Sequence, residues 1–299
     1  MKVTFVILHY LTFEDTRECI DSIISNVDYN DYNIVVVDNG SPNDSGEMLE
    51  QTFKGISKVF IKKSKENLGF AKGNNLGYRY AKDQLGADFV ILINNDTIIK
   101  QKSFLSDLLA RYNKSKFHIL GPDIVSTKDG LHQNPQLLEE IDESEIRKMI
   151  LRIKTKIFLN RIGCEDLIMN TYFSLKGENN NNKYYNNANW ESELEDIQLH
   201  GSCLILSPDF VNNYNGLYDN TFMYMEEHIL FYIANKENLK VVYYPKIQIL
   251  HKEDSSTDAL FNRPKKKRLF VYKNMVNSLK ELSKIQKNNK VYIDNMKSV

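Results

Sequence analysis

The stretch Ala87-Asp88-Phe89-Val90-Ile91-Leu92-Ile93-Asn94-Asn95-Asp96-Thr97 does most to restrict the folds open to this chain. An unbroken apolar run stops abruptly at two amides and a carboxylate. The run is shorter than an ordinary helix and rich in β-branched side chains, which marks a strand buried on both faces. Strands of that kind belong to parallel sheets covered by helices, whose ligands bind beyond the carboxyl ends of the strands. Asn94, Asn95 and Asp96 stand at such an end. Their oxygens suit a hard divalent cation, Mg²⁺ or Mn²⁺, that keeps several waters and shares a diphosphate. A plain Asn/Asp turn closing the strand is the other reading.

The rest of the N-terminal half repeats the pattern. Val3–Leu8, Asn33–Val37, Val59–Ile61 and His118–Leu120 read as further strands. Between them lie helical patterns: one capped by Asp15 or Thr16 with Cys19, Ile20, Ile23 and Ile24 on one face, then others through Leu49, Leu76 and Phe104–Tyr112. The alternation predicts an α/β fold with a mostly parallel sheet flanked by helices and right-handed crossovers. Three polar loops, after Asp38, at Asn67–Asn75 and at Asn94–Asp96, then fall on one sheet edge. None has a G-x-G-x-x-G or G-x-x-x-x-G-K-[ST] pattern, which argues against a dinucleotide dehydrogenase or a P-loop enzyme.

The 299 residues carry a formal net charge of +0, so no global field favours nucleic acid. Cys19, Cys164 and Cys203 form neither a C-x-x-C pair nor a disulfide framework, and a reducing cytosol is the simpler setting. Met1–Leu8 reads as a first strand, not a signal peptide, and no apolar stretch approaches the roughly 20 residues of a membrane span. The expected location is cytoplasmic.

From Gln133 to Trp190 the pattern changes. Leu137–Phe158 carries acids first and bases later, in the order a helix macrodipole favours, with Ile146, Ile150, Ile153 and Ile157 at helical spacing. Asn179–Asn182 reads as a low-complexity surface loop. Strand character returns at Leu199–Leu206. Phe222-Met223-Tyr224-Met225-Glu226-Glu227 leads into a helix, and Lys240–Tyr244 and Ile247–Leu250 are two short strands, the second ending at His251. Beyond Arg263 the chain is strongly basic, with Leu269, Tyr272, Val276, Leu279 and Leu282 at helical spacing. This tail either docks its apolar stripe on the domain with its charges solvated, or also lies on anionic lipid as a peripheral anchor at the inner face of a membrane.

Several of these segments together resemble the GT-A type of family-2 glycosyltransferases, in the rhamnosyltransferase-like branch. Val37-Asp38-Asn39-Gly40-Ser41 resembles that family's nucleotide-binding strand end. Asn67-Leu68-Gly69-Phe70-Ala71 with Gly73-Asn74-Asn75 is similar to its N-x-G-F-A…N signature. Asn94-Asn95-Asp96 stands where the family has its D-x-D-type metal motif. Gly201-Ser202-Cys203, Gly216-Leu217-Tyr218-Asp219 and Phe222–Glu227 resemble its G-x-x…G-x-F-D…F-x-Y-x-E-D block. The resemblance covers Lys2–Val125 and His200–His251. It divides the chain into a GT-A catalytic domain at 1–255 and a basic amphipathic tail at 256–299. Within the domain lie a nucleotide-sugar half at 1–132, a variable insertion at 133–190 and an acceptor half at 191–255.

What the resemblance implies is inverting transfer of a sugar from a nucleoside-diphosphate donor, dTDP- or UDP-linked, to a hydroxyl of a glycan or lipid-linked glycan in cell-surface polysaccharide synthesis. The departing diphosphate needs a cation, and the acceptor hydroxyl needs a carboxylate to take its proton. Glu227 is the expected base, with Glu226 the alternate. Asp38 would accept from the imide N–H of uracil or thymine, and Asn39, Asn67, Gly69, Lys72, Asn94 and Asn95 would line the donor. Asp96 and His251 would hold the metal, and His200, Ser202 and Trp190 would meet the acceptor. Two positions depart from the pattern: the metal motif opens with Asn, and the acidic pair reads Glu-Glu where Glu-Asp is usual. Those departures keep a non-catalytic subunit of a synthesis complex in view. A sugar nucleotidyltransferase would want a Gly-rich, basic loop after the first strand, where His9-Tyr10-Leu11-Thr12-Phe13 stands.

Overall fold

A computed structural model describes residues 1–136, 140–165, 189–253 and 264–298. The Asn179–Asn182 loop and Arg263 lie outside them. Among the described residues nine strands form one sheet: β1 (Val3–His9), β2 (Tyr32–Asp38), β3 (Val59–Lys63), β4 (Phe89–Asn94), β5 (Thr97–Ile98), β6 (Ile119–Ser126), β7 (Leu194–Glu195), β8 (Cys203–Leu206) and β9 (Val241–His251). Their order is β3-β2-β1-β4-β8-β6-β9-β5, with β7 paired to β9. The half β3-β2-β1-β4 is wholly parallel. β8 runs antiparallel between β4 and β6, and β9 is parallel to β6. The α/β architecture expected from the alternation is the one observed, with the antiparallel β8 making the sheet mixed.

The helices are α1 (Phe13–Asn26), α2 (Ser45–Thr52), α3 (Phe70–Arg79, continued by a π turn at Tyr80–Gln84), α4 (Phe104–Lys114), α5 (Glu143–Ile162), α6 (Pro208–Val211), α7 (Glu226–Lys236), α8 (Pro264–Lys287) and α9 (Asn289–Asp294). Successive residues of the central strands feed opposite core layers. Phe5, Ile7, Val36 and Ile91 join Ile20, Ile23 and Leu108 on one face. Val6, Val35, Val37 and Leu92 join Tyr78, Ile229 and Ile233 on the other. Burial on both faces is why these strands read as continuous apolar runs.

The C-terminal helix is part of the second layer. Val276, Leu279, Leu282 and Ile285 of α8 are buried, and α8 packs along α5. Each such side chain contributes about 1.5–3 kcal/mol when fully buried. α5 is capped by Asp142, whose carboxylate accepts the Glu145 N–H at 2.7 Å, and it stops at Gly163 in the left-handed region.

Two local expectations are revised. α1 starts at Phe13 with Thr12 at its N-cap, so Asp15 and Thr16 lie inside its first turn, where the Thr16 hydroxyl donates to the Thr12 carbonyl at 3.2 Å and meets the buried ring of His9. The two short strands expected at Lys240–Tyr244 and Ile247–Leu250 are one strand, β9. Its register on β6 jumps from Pro122↔Tyr244 to Asp123↔Gln248. Pro245 sits at that break and has no N–H for the ladder, so the sequence looks interrupted where the strand only bulges.

Candidate active site

The carboxyl ends of β1, β2 and β4, the amino ends of α3 and α7, and the end of β9 surround a cleft of about 320 Å³. Asn39, Asn67, Gly69, Asn94, Asn95, Asp96, His200, Glu227 and His251 all line it. Residues more than 100 positions apart in sequence therefore face one space.

The β2 end is locked by amides. Asn39 Nδ2 donates to Asn67 Oδ1 and to the Gly69 carbonyl, both at 3.1 Å, while its Oδ1 accepts the Leu68 N–H at 2.9 Å. Gly69 has φ +82°, and a Cβ there would collide with the Phe222 carbonyl. The Phe70 N–H donates to that same carbonyl at 2.8 Å. The loop before α3 is thus clasped to the segment before α7. That segment turns through Tyr224 and Met225, both left-handed at φ 72° and 69°. Two adjacent non-glycine residues in that region store strain, which here aims α7 into the cleft.

Asp96 is buried, with its Oδ1 3.3 Å from His251 Nε2. His251 Nδ1 donates to Gln133 Oε1 at 2.7 Å, so Nε2 is the ring nitrogen that faces the carboxylate. A carboxylate oxygen and an imidazole nitrogen so arranged are a donor set that fits Mg²⁺ or Mn²⁺, with the outer ring nitrogen held as metal-bound histidines are. Among the described residues no group of three or more His, Cys, Asp or Glu converges on a single point. Asn95 donates to Thr12 Oγ1 at 2.8 Å and Thr16 Oγ1 at 3.0 Å. Thr16 in turn meets His9 Nδ1 at 2.7 Å, and His9 Nε2 meets Ser45 Oγ at 2.7 Å. Burial pushes the His9 imidazole down to about 4 against the opposing pull of Asp38, so it is a neutral bridge beneath the Asn95 turn.

On the far wall, Glu227 Oε1 accepts the Gly201 N–H at 3.2 Å. A Cβ on Gly201 would lie 2.7 Å from that oxygen, so glycine admits the carboxylate. Glu226 points elsewhere, with Thr221 Oγ1 3.4 Å from its Oε1, and it does not line the cleft. Burial, then the charge of Glu227, push the Glu226 carboxyl up to about 8. The two acids are therefore unlike at neutral pH, with Glu226 held as the neutral acid. His200 is lowered from its usual range by burial, with Glu227 opposing. The Ser202 N–H donates to His200 Nδ1 at 3.2 Å, which puts the ring proton on Nε2. His200 and His251 meet edge to face at 5.6 Å.

Besides Glu226, four expected site residues stand apart from the cleft lining. The Asp38 carboxylate is buried, accepts the Ser41 N–H at 3.1 Å and packs on Gly46 behind the cleft. Lys72 is exposed on α3 and does not line the cleft. Ser202 is buried beneath His200. Trp190 stacks on His132 at 3.7 Å, away from the cleft lining. Sequence reasoning passed over Gln133, the outer partner of His251, and Phe270 of α8, which forms part of the cleft wall. Neither carries a motif; each is recognisable only from its place in space.

The family model described as Glycosyl transferase family 2 matches residues 4–175. A curated relative, the low-salt glycan biosynthesis hexosyltransferase Agl10 of Haloferax volcanii, is 23% identical over 251 residues, covering 84% of this chain and 67% of the relative. Crystal structures of S. aureus TarS share the fold. One gives a TM-score of 0.51 at 13% identity, over 84% of this chain and 37% of TarS. A TarS 1-349 fragment in complex with UDP gives 0.50 at 12% identity, over 92% of this chain and 71% of the fragment. The sheet with its flanking helices is GT-A-like, and with more than half its length matched by the family model the chain belongs to glycosyl transferase family 2.

Proposed function

We propose that the cleft binds a nucleoside-diphosphate sugar, dTDP- or UDP-linked, and transfers the sugar with inversion to a hydroxyl of a glycan or lipid-linked glycan in cell-surface polysaccharide synthesis. The observation that carries this is the shared cleft: Asp96 at the end of β4 and Glu227 at the start of α7 face one space. We read the rhamnosyltransferase-like branch from the motifs alone.

In this reading the Asn39–Asn67–Gly69 loop holds the donor and Asn94 with Asn95 shapes its diphosphate end. Asp38 supports that loop from behind by accepting the Ser41 N–H, and Lys72 stands exposed beside it. Asp96 and His251 would hold a Mg²⁺ or Mn²⁺, with diphosphate oxygens and water completing its shell. When bound, that cation supplies charge neutralisation for the leaving diphosphate. Glu227, fixed by the Gly201 N–H, removes the acceptor proton as the hydroxyl attacks. Burial keeps Glu226 neutral, so it adds no negative charge beside Glu227. His200 Nε2–H donates into the cleft toward the acceptor, and Ser202 fixes that ring. Trp190 extends the acceptor side as a stacking surface for a sugar.

The test is sugar transfer by the full chain from a panel of nucleotide sugars with Mg²⁺ or Mn²⁺. Glu227→Gln and Asp96→Ala should each abolish transfer while circular dichroism stays native. Full activity in either variant removes that residue's role. Calorimetry in which no nucleoside diphosphate binds, with or without Mn²⁺, would instead leave a non-catalytic subunit.

A further inference from the structure

The face of α5 turned away from the sheet is not polar. Leu151, Phe158 and Ile162 are 67%, 61% and 53% exposed. Their spacing by seven and four residues sets them on one stripe, opposite the buried Ile146 and Ile153. Helical position places Arg147, Lys154 and Arg161, all exposed, along one flank of this stripe and Lys148 and Arg152 along the other, with Arg147 paired to Glu143 and both Lys148 and Arg152 paired to Glu145. The acids of α5 are confined to its first turn, so from Ile146 to Ile162 its charged residues are all basic. α8 begins where α5 ends: Lys265 Nζ donates to the Arg161 carbonyl at 3.5 Å, and Lys265 and Lys266 are exposed. Four residues past Lys266, Phe270 forms part of the cleft wall. At 1.5 Å per residue that is about 6 Å along the helix.

We propose that this surface, Leu151, Phe158 and Ile162 bordered by Lys154, Arg161 and Lys266, docks the protein on an anionic phospholipid bilayer and holds a wall of the cleft within about one helical turn of the lipid. The charge pattern selects that occupant. A second copy meeting this face by two-fold symmetry would set cations against cations. An anionic headgroup layer neutralises them and receives the three apolar side chains beneath it. The docking itself is independent of the transferase reading. Its use rests on that reading, because a lipid-linked acceptor would then meet the cleft at the membrane surface.

The experiment is co-sedimentation of the full chain with phosphatidylcholine vesicles, with and without added phosphatidylglycerol, and no substrate present. Binding should require phosphatidylglycerol and fall as salt is raised. The double variants L151S/F158S and K154E/R161E, all at exposed positions, should each weaken binding at least about tenfold, with unchanged thermal melts. Absence of sedimentation with the phosphatidylglycerol-containing vesicles overturns the proposal, as does wild-type binding by both double variants. So does light scattering that shows a dimer without vesicles which L151S/F158S disperses, since the face is then an interface between copies. UDP binding read by calorimetry without vesicles fails or succeeds separately, so loss of one reading leaves the other standing.

Discussion

At the scale of single residues, the paired acids give the sharpest expectations. Glu226→Gln replaces a carboxyl that is already neutral at pH 7, so transfer should persist within a few-fold, whereas Glu227→Gln should lower kcat by about 10²-fold or more. Equal loss in both would reverse the assignment. Glu226 also sets a pH dependence. Its folded value, about 8, lies above its unfolded value, so the stability it contributes is full below pH 4.5 and is lost as pH rises through 8. Thermal melts of the wild type should therefore fall relative to Glu226→Gln across that window, by at most about 1.4 kcal/mol per pH unit. Gly201→Ala tests the approach of Glu227. A methyl 2.7 Å from Oε1 must displace the carboxylate, and kcat should fall with nucleotide binding intact. The polar part of the cleft was legible because Asn67, Gly69, Asp96 and Glu227 sit in spaced motifs. Phe270 and Tyr10 were not, since an aromatic beside a pocket has the same sequence signature as one in a core.

At the scale of elements, the parallel half of the sheet was readable because β1, β2 and β4 are buried on both faces and therefore unbroken in hydrophobicity. The direction of β8 was not, since a four-residue buried strand carries no polarity signal and its antiparallel pairing is set by where the long excursion before it returns. The bulge in β9 was hidden by Pro245, which mimics a strand end. The hydroxyl–imidazole chain from Ser45 through His9 and Thr16 to Asn95 ties β1, α1, α2 and the β4 turn together. His9→Ala should take one hydrogen bond from each of the Thr16 and Ser45 hydroxyls and destabilise the protein by about 1–3 kcal/mol, measured by urea unfolding. An unchanged midpoint would mean that solvent replaces the ring without cost. The same reasoning applies to α8: Leu279→Ala should cost about 2–5 kcal/mol, because that side chain is fully buried under the second layer.

At the scale of the whole molecule, the cleft is assembled from both ends of the chain. The ends of β1, β2 and β4 bring Tyr10, Asn39 and Asp96, α7 and β9 bring Glu227 and His251, and α8 closes a wall with Phe270. No helix among the described residues is long and apolar enough to cross a membrane. If UDP with Mn²⁺ occupies this cleft, the melting temperature should rise with ligand concentration by mass action, and Asp96→Ala should remove the Mn²⁺-dependent part of that rise. A rise independent of the cation would exclude the Asp96–His251 site from nucleotide binding. The contribution of Phe270 has an outcome in biosynthesis. A nascent chain stalled before its last long helix has β1 to β9 in hand, yet lacks a side of its pocket and the apolar residues that cover the second layer. Ribosome-bound intermediates of this protein would thus expose a sticky, unfinished surface, so the cleft would be completed only once α8 has emerged and not by degrees.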